Sequence, residues 1–143
     1  MSIHQISVFL ENRAGQLAEI TSVLAQNQID LRAISIAETK DYGVLRIIAD
    51  HAEKATSVLL SHGYILSMTP VLVISVADQP GGLAPVLATL AEGNLDIEYM
   101  YSLFTHSEDK AYMVFRVSDE AKFTALLATH GIAPVSAGEL NLQ

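Results

Sequence analysis

Two short stretches carry the residues best suited to chemistry. Asn12-Arg13-Ala14-Gly15-Gln16-Leu17 is matched, 66 positions later, by Asp78-Gln79-Pro80-Gly81-Gly82-Leu83. Each lies where a strand pattern gives way to a helix pattern. The first turn of a helix has backbone N–H groups without intrahelical partners. They sit at the positive end of the helix dipole. Without a side chain at Gly15, or at Gly81 and Gly82, a ligand can approach that backbone closely. The product is an anion site that suits a carboxylate or a phosphate. Asn12 and Asp78 stand three residues before the glycine, and their side-chain oxygens accept hydrogen bonds from an ammonium group. A carboxylate site beside an ammonium acceptor is the pattern that recognises a free amino acid. The same residues have a plainer role: Asn or Asp before a helix is a common N-cap. Duplication copies scaffolding as faithfully as sites, so both roles stand at this point.

Catalytic and metal-binding patterns are absent. The histidines are His4, His51, His62, His106 and His130, and no pair has close metal-ligand spacing. His62 and His130 each precede a glycine that ends a helix, where an imidazole meets the negative helix end. Glu11 beside Asn12 and Asp50 beside His51 are neighbours on strands, so they point to opposite faces and form no dyad. There is no G-x-S-x-G, no G-x-G-x-x-G and no P-loop. Arg13 has Gln79 as its counterpart, which favours a solvated role. The expectation is a protein that is not an enzyme and uses no cofactor and no metal.

The totals narrow the partners. Sixteen acidic residues against eight basic ones give a formal net charge of −8. Phosphate backbones are bound by clustered Lys and Arg, so nucleic acid is not an expected partner. An anionic membrane surface is disfavoured for the same reason. No cysteine is present, which removes disulfide and thiolate chemistry. The N-terminus lacks a signal-peptide pattern, and no apolar run is long enough to cross a bilayer. A cytoplasmic location is expected.

The elements that position the two turns are written twice. Ile6, Val8 and Leu10 alternate as a strand; Leu17, Ile20, Val23, Leu24 and Ala25 recur at helical spacing over residues 15–27. Residues 30–39 alternate again, Lys40 to Gly43 reads as a hairpin turn, and Val44 to Ala49 as the return strand. His51 to Ser61 reads as a second helix stopped by Gly63. A further strand begins at Tyr64. The order β-α-β-β-α-β then repeats: Gln28-Ile29-Asp30-Leu31 aligns with Asn94-Leu95-Asp96-Ile97, and His62-Gly63 with His130-Gly131. The expected domains are residues 1–68 and 69–143. Each matches a ferredoxin-like split βαβ unit, an α+β class. Two such units can pair side by side into one extended antiparallel sheet with helices on one face. The other face is apolar enough to expect a homodimer.

The stretches ENRAGQLAEITSVLAQNQIDLRAISI and DQPGGLAPVLATLAEGNLDIEYMYS resemble the ACT domain, a small regulatory module that binds amino acids. The resemblance covers the whole chain as two tandem units without a catalytic domain. It implies ligand binding where two units meet, with the turn of one facing the edge strand of the other. The first turn is similar to that of serine-sensing ACT domains of phosphoglycerate dehydrogenases. There Asn12 matches a ligand-contacting Asn, while Asp30 replaces a second Asn and Leu10 replaces a His. The corresponding residues of the second repeat are Asp78, Asp96 and Val76. Pocket linings implied by the resemblance are Ala33, Ile34, Ser35 and Ile36 in one repeat and Tyr99, Met100, Tyr101 and Ser102 in the other. Tyr99 and Tyr101 share one sheet face, opposite Met100 and Ser102. The implied function is a sensor of a free amino acid that regulates a partner protein. The alternative is an interaction scaffold that senses nothing.

Overall fold

Alternation along the first strand decides which of its faces is packed. The computed structural model describes residues 3–11, 13–38, 41–105 and 107–143. It divides into two units: His4–Thr69 with Asn141–Gln143, and Pro70–Leu140 with Ile3. In the N-terminal unit β1 (Ile3–Glu11) buries Ile6, Val8 and Leu10. The helix α1 (Gln16–Gln26) buries Ile20, Val23 and Leu24 on the stripe its spacing dictates. Next come β2 (Leu31–Glu38), β3 (Tyr42–Ala49) and α2 (Ala52–Ser61), the last burying Ala55 and Leu59. Tyr42 and Gly43, expected in the turn, belong to β3, where Tyr42 pairs with Glu11 and Gly43 with Leu10. Of the other two turn positions, Asp41 is an exposed bend and Lys40 lies outside the described residues, as does Thr39 at the end of the expected strand.

The strand β3 is the middle of this unit. It pairs antiparallel with β1, Val8 opposite Leu45, and with β2, Ile34 opposite Ile47. The Phe9 N–H donates to the Ile65 carbonyl at 2.9 Å, just ahead of β4 (Leu66–Ala77). The core joins Ile6, Val8, Ile20, Leu24, Leu45, Ile47 and Leu59, all at most 1 % exposed. Each such side chain contributes about 1.5–3 kcal/mol on burial.

The unit boundary, between Thr69 and Pro70, falls inside β4. In the C-terminal unit β4 pairs with β6 (Lys110–Val117), Ile74 opposite Met113, and β6 pairs with β5 (Ile97–Ser102), Met100 opposite Phe115. The helices α3 (Ala84–Glu92) and α4 (Glu120–Thr129) supply Val86, Leu90, Phe123 and Leu127 to the core. Phe115 and Phe123 meet edge to face, ring centres 5.7 Å apart. Five elements therefore repeat in order, but the sixth does not. The strand expected after Gly131 is replaced by an irregular stretch and a 3-10 turn, Gly138–Leu140. One link of the missing ladder remains, the Val135 N–H to the Val73 carbonyl at 2.8 Å. Pro134, beside it, has no N–H to add another.

Among the described residues the helices α1 to α4 end in the same way. The N–H groups of Ile29, Tyr64, Leu95 and Ile132 return to the carbonyls of Leu24, Leu59, Leu90 and Leu127. This six-residue closure needs a left-handed residue just past the helix. Gly63 and Gly131 supply it at φ +84° and +72°; Gln28 and Asn94 supply it at +57° and +52°. The histidines before the glycines differ. The His62 ring Nδ1 lies 2.9 Å from the Val58 carbonyl, at the helix end, as expected. The His130 ring instead meets Glu92 of α3 at 3.0 Å. Among the described residues no helix is long and apolar enough to cross a membrane.

Candidate functional site

The two glycine turns begin identically. The Arg13 N–H donates to the Glu11 carbonyl and, 66 residues on, the Gln79 N–H to the Ala77 carbonyl, both at 2.9 Å. Gly15 and Gly81 both take left-handed backbone, φ +86° and +81°. A methyl group at either would meet nothing within 4 Å, so the space above both is open. The next residue separates them. The Gly15 carbonyl accepts the Glu19 N–H at 3.0 Å, and α1 starts at once with Gln16. The Gly82 N–H instead turns back to the Gln79 carbonyl at 3.0 Å, and α3 starts only at Ala84. At Gly82 a methyl group would collide with the Ala77 carbonyl. Gly82 is thus required by close backbone packing and offers no room to a ligand.

Neither helix is capped by a side chain at its flanking residue, Gly15 or Leu83. By contrast the Asp119 carboxylate caps α4 by accepting the Lys122 N–H at 3.0 Å. Asp78 does not occupy a capping position. Its side chain is exposed, and its N–H donates to the Asp109 carbonyl at 2.9 Å. Asn12 lies outside the described residues.

A cleft of about 190 Å³ opens at the start of α1. Leu10, Glu11, Arg13, Gln16, Leu17, Ile36 and Gly43 line it. Leu10 and Gly43 face each other across the β1–β3 ladder, and Ile36 pairs with Leu45 on the same sheet face. Gly43 leaves room on that face because it carries no side chain. Leu17 and Ile36 make the wall apolar, while Glu11 and Arg13 stand at the exposed rim. The Arg13 guanidinium lies 3.2 Å from the Glu19 carboxylate and 3.8 Å from that of Glu11. The Tyr64 hydroxyl, then Arg13, holds the Glu19 carboxyl below its ordinary pKa. Burial, then Glu19, raises the Tyr64 pKa. These charges balance one another at the rim. Gln16 differs: the residue is only 9 % exposed, and its Oε1 has no hydrogen-bond partner.

The remaining expected residues fall in three places. Ala14, Gln79, Pro80 and Gly81 are exposed in the turns, and Leu83 is half-buried at the α3 start. Asp30 and Asp96 stand before β2 and β5, at the far end of each sheet. Leu31 pairs with Ala49, whereas the first turn follows the Glu11–Tyr42 pair. Eight strand residues separate those ends, roughly 25 Å. The backbones of both aspartates are tied alike. The Asp30 N–H donates to the Asp50 carboxylate at 2.9 Å and the Asp96 N–H to the Ser118 hydroxyl at 3.3 Å. Ser35 pairs with Arg46 on the sheet face away from α1. Tyr99 and Tyr101 stack at 6.5 Å between ring centres, beside Arg116 and Val114 and away from the face of Met100. The cleft therefore unites Arg13, Gln16, Leu17 and Ile36 of the expected residues, and adds Leu10, Glu11 and Gly43. Period-two spacing places Leu10 inward, and Ile36 is one of four expected lining residues of its strand, but nothing in the sequence singles it out or aligns Gly43 with the turn. Their register across β3 does that.

The comparisons agree with this architecture. Residues 1–140 match the model of the ACT domain pair family. A crystal structure of a protein from Bacteroides thetaiotaomicron is 38% identical, with a TM-score of 0.90 over 99% of this chain and 96% of that one. The ligand-free regulatory subunit of aspartate kinase from Thermus thermophilus is 19% identical, TM-score 0.67, covering 92% of this chain and 93% of that chain. The corresponding subunit from Thermus flavus is also 19% identical, TM-score 0.59, with the same coverage. The likeness to the two Thermus subunits is one of fold. No match was found among curated protein sequences. Repeated βαββα order, paired glycine turns and a family match over nearly the full length lead to one conclusion: this chain belongs to the ACT domain pair family.

Proposed function

We propose that this protein binds a free amino acid at the α1 cleft and passes the signal to a partner protein. The carrying observation is the cleft itself, which opens where α1 presents its unpaired first-turn N–H groups above Gly15. The ligand carboxylate docks on those N–H groups. Its ammonium turns to the rim, where Glu11 supplies a carboxylate and Asn12 adjoins in sequence. Its side chain lies against Leu10, Leu17 and Ile36. The C-terminal turn is the weaker site, because Gly82 and its hydrogen bond to Gln79 delay the start of α3. Asp78, Asp96, Tyr99 and Tyr101 are proposed there only as accessory residues.

Regulation follows from differential binding. A ligand shifts a conformational equilibrium only as far as it prefers one state. The output passes to a partner protein in the cytoplasm, and the chain itself catalyses nothing. A second reading, a protein-interaction scaffold, draws on the sheet face away from α1. There Phe9 and Tyr42 stack at 4.9 Å, and Phe9, Tyr42 and Ile65 are exposed. That face is also the proposed homodimer surface.

A thermal-shift screen of the twenty amino acids tests the reading. A ligand that binds only the folded state raises the melting temperature with dose. A selective rise that Gly15→Val abolishes supports the sensor. No rise with any amino acid, in a folded protein, rejects it in favour of the scaffold.

A further inference from the structure

We propose that Gln16 selects the ligand, and that the amino acid it selects has an uncharged polar side chain. This inference rests on the α1 cleft being the amino-acid site. Three observations point to it. Gln16 is 9 % exposed yet lines the cleft, and its Oε1 is buried without a partner. Buried polar groups are nearly always paired, because leaving one unpaired costs about 1–3 kcal/mol. An unpartnered amide oxygen on a residue that lines a cleft is therefore a place where a bound molecule completes the structure. The terminal torsion of a glutamine amide is soft, so its oxygen and nitrogen exchange places by a half-turn. A ligand group can thus meet the donor or the acceptor.

The surroundings decide what that group is. The ammonium and carboxylate of an amino acid already have partners at the rim and at the helix start. Gln16 lines the same cleft as Leu10, Leu17 and Ile36 and, unlike the exposed Glu11 and Arg13 of the rim, is buried, so it meets the side chain instead. A charged side chain among those apolar groups is costly. An apolar one leaves the Gln16 amide unsatisfied. A hydroxyl or amide side chain meets both conditions. The equivalent residue of the other unit is Gly82, whose position is filled by the Ala77 backbone, so selection of this kind belongs to the N-terminal turn alone.

The test uses near-isosteric pairs, threonine against valine and asparagine against leucine, titrated calorimetrically into the full-length wild type and Gln16→Leu. The wild type is expected to bind the polar member about ten- to a hundredfold more tightly. Gln16→Leu is expected to erase or invert that preference. Gln16→Met, equal in length, serves if the leucine variant folds poorly. Amino-acid binding by the wild type with no preference within the pairs overturns the selection and leaves the sensor standing. So does a preference that survives both variants, or one for charged side chains. Absence of binding by any amino acid to the folded wild type overturns both.

Discussion

The glycine turns of the two units share a hydrogen bond, a left-handed glycine and an open space, and then diverge at one residue. After Gly15 comes Gln16, a helical residue with a buried amide; after Gly81 comes Gly82, a residue that its own backbone crowds. The difference shifts the helix start by two positions relative to the repeat. It teaches that a repeated motif does not carry a repeated site. A site at a helix start depends on which N–H groups are free, and the Gly82 N–H is already used by Gln79. The side chain that replaces a glycine decides the rest, because Gln16 brings a polar group into the cleft where Gly82 brings none.

Substitutions can break this comparison. The largest effect is expected for Gly82→Ala. Its new methyl meets the Ala77 carbonyl, which is backbone and cannot swing aside. A loss of about 1–3 kcal/mol is expected from denaturant midpoints. Gly15→Ala meets nothing, and only the left-handed backbone opposes it, so a loss of about 1–2 kcal/mol is expected. Equal losses for the two would remove the steric distinction drawn between the turns.

Gln16→Leu is expected to act in the opposite direction. It removes the buried unpartnered oxygen and keeps an apolar side chain of similar size. The apo protein should gain roughly 1 kcal/mol in urea melts. A clear loss would mean that the amide is satisfied in the free protein.

The smallest effect concerns the rim. The Glu19 carboxyl is held below its ordinary value of 4.5, first by Tyr64 and then by Arg13. Its ionised form therefore favours the folded state. That contribution is complete above the ordinary value and is lost as pH falls through the lower folded value. Tyr64 moves the other way, its pKa raised by burial and by Glu19 from an ordinary 10.0. Its contribution is complete below the ordinary value and fades as pH rises through the raised one. Melting temperatures of wild type and Glu19→Gln should converge in acid and separate by a degree or so, on the order of a surface ion pair, near neutrality. Identical profiles at both pH values would show that Arg13 is not held by Glu19.

Much of this was written along the chain. The alternation of Ile6, Val8 and Leu10 marked a strand with one packed face, and the spacing of Ile20, Val23 and Leu24 a helix stripe. Gly63 and Gly131 marked helix ends, because few other residues tolerate left-handed backbone. Local patterns of this kind survive folding because they follow from strand and helix periods. The missing sixth strand was harder to see. Ile132 and Val135 after Gly131 are strand formers, but Pro134 between them removes a donor, and a ladder is a property of two strands.

The sequence by itself determined the order of the first five elements of each repeat, the family and the position of both glycine turns. Each depends on residues near one another along the chain. Only the tertiary structure decided that the turns are unequal, that Asp30 stands roughly 25 Å from the turn it follows, and that Gly43 joins the cleft at the start of α1. Those facts depend on strand register. A register is set by pairing residues far apart in the chain, and the sum of that packing buried Gln16 beside an open cleft.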